Sequence, residues 1–310
     1  MRLIRGLQAL TNNDLGCVAS IGNFDGLHLG HRKIINQLKE KSTALNLPLT
    51  IISFEPLPSE YFMPEPPARI YPQRDKIRLL QSLGVDNFLC LKFDATFAQQ
   101  SPEDFVNNIL LEKLGVKYFV VGDDFRFGHK RKGDFQLLKN IGDEKGMQVV
   151  DTPTCDHDNK RISSTRIRNL LEAGNIKSAN ELLGAHYQLS GRVRHGDKRG
   201  RTIGFPTLNM KVLERIAPAR GVYAVRVIGL SDQPLNGVAN LGARPTVNGT
   251  ENRLETHLFD FEGDVYGKYV CVELVEFLRA EQKFDDFSVL KLQILNDAER
   301  ARKILVKLAS

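Results

Sequence analysis

Two patterns of apolar spacing divide the chain. Up to residue 183, short apolar runs at 17–21, 49–54, 88–93, 118–121 and 147–150 alternate with longer segments at 32–45, 74–82, 102–114 and 135–144, whose apolar residues recur every three or four positions. Short runs bounded by turn residues predict buried strands, and the longer segments predict helices. Their regular alternation predicts an α/β domain built on a doubly wound parallel sheet with helices on both faces. Two short helices, 165–173 and 176–183, complete this part. Beyond Gly184 the pattern changes. Apolar or alternating runs at 187–193, 222–228, 235–241, 255–259 and 269–277 are separated by Gly, Pro, Asn and Asp, which predicts a small antiparallel β-barrel. A terminal helix at 288–308 places Leu290, Ile294, Ala298, Ala301 and Leu305 on one apolar face. A chain of 310 residues suffices for two cores, here 1–183 and 184–310.

Ligands of open parallel sheets bind beyond the carboxyl ends of the strands, and three segments of this chain fall there. The first is residues 21–31, Ile-Gly-Asn-Phe-Asp-Gly-Leu-His-Leu-Gly-His, between a predicted strand and a predicted helix. Gly22, Gly26 and Gly30 let the backbone approach an anion closely, and the helix start supplies free amides and the positive end of its dipole. His28 and His31, three apart, can share one face; a histidine at such a junction can also serve as a cap. The spacing is neither a Walker A loop nor Gly-x-Gly-x-x-Gly. Residues 54–58 follow the second predicted strand, and residues 122–128, Gly-Asp-Asp-Phe-Arg-Phe-Gly, follow the fourth. The stretch 55–72, with six prolines, predicts an irregular but restrained flap. Further on, Ser163 or Ser164 can cap the helix that begins near Thr165, leaving amides and Arg168 to face phosphate.

Charge changes the picture only locally. The chain carries a net charge of +6, and most of the excess lies beyond residue 183, in Arg192, Arg194, Lys198, Arg199 and Arg201 against Asp197. A compact cluster suits one polyphosphate better than an extended nucleic acid, which calls for a basic stripe with interleaved aromatics. No stretch approaches the roughly 18 apolar residues of a membrane span, so a cytoplasmic enzyme of small molecules is expected, with neither nucleic acid nor membrane as partner. Cys17, Cys90, Cys155 and Cys271 are scattered without a Cys-x-x-Cys pair, which fits reduced thiols rather than a zinc site. The sequence leaves the oligomeric state open.

Residues 195–209, His-Gly-Asp-Lys-Arg-Gly-Arg-Thr-Ile-Gly-Phe-Pro-Thr-Leu-Asn, combine backbone freedom, positive charge and a hydroxyl beside an amide. Lys198 and Gly204 suit the phosphates of a nucleotide. Thr207 and Asn209 offer the oxygen ligands preferred by a hydrated magnesium ion. A solvated basic hairpin would share this composition.

Several motifs carry a family resemblance. His28-Leu29-Gly30-His31 resembles the His-x-Gly-His signature of the nucleotidyltransferase superfamily, and Ile162-Ser163-Ser164-Thr165-Arg166-Ile167-Arg168 matches its second signature at every fixed position. Gly204-Phe205-Pro206-Thr207-Leu208-Asn209 resembles the riboflavin kinase signature Gly-Phe-Pro-Thr-Ala-Asn, with leucine in place of alanine. Residues 237–247 and 254–261 resemble further stretches of that family. The combination is similar to the bacterial bifunctional riboflavin kinase/FAD synthetases over essentially the whole chain.

That resemblance implies a nucleotidyltransferase-like domain at 1–183 forming FAD and pyrophosphate from FMN and ATP, and a kinase domain at 184–310 forming FMN from riboflavin and ATP, with magnesium at work in both. It implies catalytic roles for His28 and His31 on the phosphates and for Glu255 as the base. Gly22, Asn23, Phe24, Gly30, Ser163, Ser164, Arg168, Lys198, Gly204 and Thr207 would bind nucleotide. Phe54, Asp124, Phe125 and Phe127, with Phe62 beside them, would meet flavin, and Arg279 would help close over it. For the aromatics core packing is an equal expectation, and for Glu255 a cross-strand ion pair. In the flap, Leu57 stands where the family often has histidine. A superfamily enzyme with another acceptor, a nucleic-acid-binding protein using the basic cluster, and a chain with only one active domain remain as alternatives.

Overall fold

The computed structural model describes residues 1–11, 14–195, 205–212, 215–246 and 249–308. The chain packs as two compact units. One comprises Met1–Pro67 and Lys76–Ser163, the other Ala68–Asp75 and Ser164–Ser310. The helices Ser164–Glu172 and Ile176–Leu183, which precede the change of pattern at Gly184, therefore pack with the second unit.

In the first unit, strands β1 (Arg2–Arg5), β2 (Cys17–Ile21), β3 (Leu49–Glu55), β4 (Asn87–Lys92), β5 (Val116–Gly122) and β6 (Gln148–Thr152) form one parallel sheet in the order β1-β4-β3-β2-β5-β6. Every residue of β2 is buried, as its continuous apolar run requires of a central strand. Successive residues point to opposite faces. Ala19, Ile21, Phe119 and Val121 join one core with Leu138 and the 105–110 segment, while Val18, Tyr118 and Val120 join a second core with Ile35, Leu38 and Leu80. Helices cover both faces, so the sheet is doubly wound as expected.

Three features depart from the pattern. Strand β1 extends the sheet at its edge, although only Ile4 of its four residues is buried. The segment expected as one helix at 102–114 starts as an α-helical turn, Pro102–Asp104, and continues as a π-helix, Phe105–Lys113. Its buried residues Phe105, Val106, Ile109 and Leu110 recur at intervals of four. Within the flap, Pro58–Phe62 is a short helix whose Glu60 side chain accepts the Leu57 amide at 2.9 Å.

A two-strand hairpin, β7 (Asp156–His157) and β8 (Lys160–Arg161), precedes the second unit. There, strands β9 (Tyr187–Arg192), β10 (Thr207–Val212), β11 (Gly221–Ile228), β12 (Leu235–Thr246), β13 (Gly249–Leu258) and β14 (Tyr269–Ala280) pair antiparallel in the order β10-β13-β12-β11-β14-β9. Just past β9, the Arg194 amide donates to the Asn209 carbonyl at 2.8 Å, bridging the two edges of the sheet. Alternation along β10 and β13 sets Leu208, Met210, Leu254 and Thr256 on one buried face and Thr207, Asn209, Glu255 and His257 on the other, where Asn209 is buried as well. The terminal helix Phe287–Lys307 packs Ala298, Ala301 and Leu305 against Val222, Ala224, Val238, Phe259 and Leu278. Ile304 lies at the rim of that core, and Leu290 and Ile294, the other members of the expected stripe, are only partly buried.

Candidate active sites

The order of the parallel sheet reverses between β2 and β5, because β3 lies on one side of β2 and β5 on the other. Such a reversal opens the crevice in which doubly wound sheets bind ligands, and the loops after these two strands are residues 22–28 and 123–128. The first loop turns sharply, with positive φ at Phe24 (46°), Gly26 (89°) and Leu27 (43°). His28 then serves as N-cap of the helix Leu29–Leu45, its Nδ1 accepting the His31 amide at 3.3 Å. A ring nitrogen that accepts carries no proton, so His28 is the tautomer with its proton on Nε2. The His28 and His31 rings stack with centroids 3.7 Å apart at 17°. A Cβ on Gly30 would come within 3.2 Å of the His28 ring, which explains glycine at that position. Gly22 lies under the Phe24 ring, itself 5.0 Å from that of His31.

Both imidazoles are held neutral. Burial, then the nearby Arg161 cation, lowers His28 from 6.5 to about 4. Burial, then His28 and Lys76, holds His31 well below its usual range. The arrangement offers two imidazoles, at least one presenting N–H, above the amides of a helix start.

Asp124 is exposed at the second loop and pairs with Arg161 of β8, Nη2 to Oδ2 at 2.8 Å, while Asp123 accepts from Thr154 and lies 3.6 Å from the same guanidinium. Phe125 stacks on Phe127 at 5.3 Å and 16°. Phe127 and Phe54 belong to the core, whereas Phe62 is 64% exposed. A chain of ring contacts joins them: Phe62 to Phe93, Phe93 to Phe54 and Phe97, Phe97 to Phe105, and Phe105 to Phe127. Phe93, Phe97 and Phe105 were not singled out in the sequence, although Phe93 and Phe97 share helical spacing. Ser163 ends the first unit, and Ser164 and Arg168 lie in the opening helix of the second.

On the barrel, the β10–β13 register sets Thr207 opposite His257 and Asn209 opposite Glu255; Asn240 of β12 flanks Glu255 on its other side. Directly opposed residues project to the same face, so these five polar side chains share one patch. Thr207 lines a cavity of about 380 Å³ together with Thr256, Leu258, Phe261 and Tyr266. The His257 Nδ1 lies 3.0 Å from the Pro206 carbonyl, and its ring packs against those of Phe205 and Phe259. His257 and Asn240 escaped the sequence reading, and β10 itself lay hidden inside a segment read as a loop. Lys198 and Gly204 lie outside the described residues. Arg279 points its guanidinium to Asp297 of the terminal helix, Nε to Oδ2 at 2.9 Å and Nη2 to Oδ2 at 2.8 Å.

Magnesium takes oxygen ligands, often only one or two from protein, the rest being water and phosphate. The Thr207 hydroxyl and the Asn209 amide oxygen, whose own Nδ2 turns back to the Thr207 carbonyl at 3.4 Å, fit that donor set. Among the described residues no group of three or more His, Cys, Asp or Glu could hold a metal ion.

A parallel sheet with paired histidines at its switch point, followed by an antiparallel barrel with an oxygen-rich patch beside a cavity, defines a two-unit transferase of nucleotide substrates. The family model for FAD synthetase matches residues 10–166, and that for riboflavin kinase matches residues 183–305. The chain belongs to the bifunctional riboflavin kinase/FMN adenylyltransferase family. It is 46% identical to the protein of that description from Escherichia coli (strain K12) over 305 residues, 98% of this chain and 97% of the relative. It is likewise 46% identical over 303 residues to the one from Haemophilus influenzae, 97% of this chain and 98% of the relative. A crystal structure described as a macrolide-efflux protein from Streptococcus pneumoniae superposes with a TM-score of 0.85 at 32% identity, covering 97% of this chain and 99% of that one. No helix among the described residues is long and apolar enough to cross a membrane.

Proposed function

We propose that the two activities of this family reside in separate sites of the chain, riboflavin phosphorylation on the barrel and FMN adenylylation at the paired histidines. The observation that carries the reading is the β10–β13 register, which sets a carboxylate, Glu255, beside the two oxygen ligands Asn209 and Thr207 in one unit, while His28 and His31 stack in the other.

On the barrel, Glu255 accepts the proton of the riboflavin 5′-hydroxyl as that oxygen attacks the γ-phosphorus of ATP, giving FMN and ADP. General-base help of this kind is worth about 10²- to 10⁴-fold. Thr207 and Asn209 would hold magnesium, which when bound would supply screening of the phosphate charge. Asn240 stands opposite Glu255 on the neighbouring strand. The 380 Å³ cavity beside Thr207 takes the nucleotide.

In the first unit, the phosphate of FMN attacks the α-phosphorus of a second ATP and pyrophosphate leaves. The nucleophile is already anionic, so the task of the protein is alignment and charge stabilisation. His28 donates from Nε2 to a phosphate oxygen, His31 stands beside it, and the helix amides complete the anion site. Gly22, Asn23, Phe24 and Gly30 shape the turn. Asp124, Phe125, Phe127 and Phe54 border the flavin side. The substrates are small molecules throughout.

The test is a time course of purified protein with riboflavin, ATP and magnesium, its products separated by chromatography. FMN that rises and then gives way to FAD supports the reading. FMN without FAD, or no ATP consumption, refutes it.

A further inference from the structure

A buried cation lies beneath the histidine turn. Lys76, in the helix Gln73–Ser82, is 4% exposed. It stands four residues before Leu80, on the face that packs against the sheet, where an apolar residue is the ordinary choice. Its Nζ donates to the Asn23 carbonyl at 3.1 Å and to the Ser53 hydroxyl at 3.2 Å, and lies 5.7 Å from the centre of the Phe88 ring.

These partners are informative. Asn23 opens the turn that leads to His28, and Ser53 belongs to β3, the neighbour of β2. One ammonium therefore ties the start of the histidine turn to the adjacent strand. The turn needs such a tie, because Phe24 and Leu27 hold positive φ, a conformation unfavourable for non-glycine residues that persists only when the surroundings impose it. The Lys76 charge disfavours protonation of the His31 ring, alongside His28, while Arg161 does the same to His28.

We propose that Lys76 is a positioning residue of the adenylyl-transfer site: without reaching the substrate, it fixes the turn 22–28 through Asn23 and sets its ammonium at the base of the turn that carries the paired imidazoles. The inference rests on His28 and His31 serving that reaction.

Lys76→Met keeps the length and loses the charge; Lys76→Arg keeps the charge. With FMN and ATP supplied to the full chain, Lys76→Met lowers kcat for FAD formation by about 10- to 100-fold, the size expected of a small misplacement of aligned groups. Riboflavin phosphorylation stays unchanged, and Lys76→Arg recovers most of the loss. The acid limb of the kcat/KM profile for FAD formation moves to higher pH in Lys76→Met only, because His31 then loses the cation that opposes its protonation while Arg161 still acts on His28. Ser53→Ala, which removes one oxygen from the ammonium and leaves the charge, lowers the same kcat to a smaller degree without moving the acid limb. If Lys76→Met does not fold, Ser53→Ala and Lys76→Arg decide. Wild-type kcat in Lys76→Met, an acid limb that stays in place, equal loss of both reactions, or a Ser53→Ala variant identical to wild type overturns the proposal. A wild-type protein that forms no FAD from FMN would instead refute the assignment of the reaction.

Discussion

The Nδ1 of His28 accepts the backbone amide of His31 while the two rings lie face to face, 3.7 Å between centroids. One side chain thus caps a helix, fixes its own tautomer and stacks on its neighbour. Sequence spacing brings the two histidines to one face, but the protonation state follows only from burial and from Arg161, a residue of a distant hairpin.

That state makes stability depend on pH. His28 stays neutral in the folded chain down to about pH 4, whereas the unfolded chain protonates it near 6.5. Between those values the unfolded state binds more protons, so stability falls as pH drops through the window, by as much as about 3 kcal/mol for this group alone, and above it the group contributes no slope. Urea unfolding at a series of pH values checks this. His28→Asn, which keeps a capping oxygen, should flatten the slope; an unchanged slope contradicts the assignment.

Gly30→Ala sets helix propensity against site geometry. Alanine is the better helix former by about 1 kcal/mol, yet its Cβ would sit 3.2 Å from the His28 ring. A shift of a few tenths of an ångström in an aligned imidazole should lower FAD formation from FMN by about tenfold while leaving riboflavin phosphorylation intact. Steady-state kinetics of the two separate reactions would reveal it.

On the barrel, Glu255→Gln retains shape and removes the base. Phosphorylation of riboflavin should fall by about 10²- to 10⁴-fold with KM for ATP little changed. Equal rates in the variant and the wild type would leave Glu255 with no more than a cross-strand contact to Asn209 and Asn240.

Arg279 and Asp297 form a pair in which Asp297 is only 3% exposed. Breaking a buried pair leaves one charge uncompensated, so Asp297→Asn should destabilise the chain by about 3 kcal/mol or more. A double variant, Arg279→Met with Asp297→Leu, should be more stable than Asp297→Asn, as urea midpoints would show.

Much of the fold was legible because buried strands and amphipathic helices leave different periods in the sequence. The exceptions have physical reasons. Strand β1 buries only Ile4, too little to mark a pattern. Strand β10 does alternate, with Leu208, Met210 and Val212 against Thr207, Asn209 and Lys211, but it adjoins a glycine- and arginine-rich stretch whose composition masks the period. The histidine turn stood out as a glycine-rich run between strand and helix, whereas Glu255 was singled out only through the family resemblance. Lys76 and Arg161 were not, because what they do depends on which strand ends meet. The pairing of Arg279 with Asp297 likewise requires the terminal helix to lie against the barrel.

The central claim is that the two reactions use separate sites, and complementation between variants tests it most directly. His28→Asn with His31→Asn should convert riboflavin only as far as FMN, and Glu255→Gln should convert supplied FMN to FAD but barely use riboflavin. Mixed together with riboflavin, ATP and magnesium, the two proteins should form FAD at a rate neither approaches alone. Loss of both reactions in either variant, with no FAD from the mixture, would contradict the account.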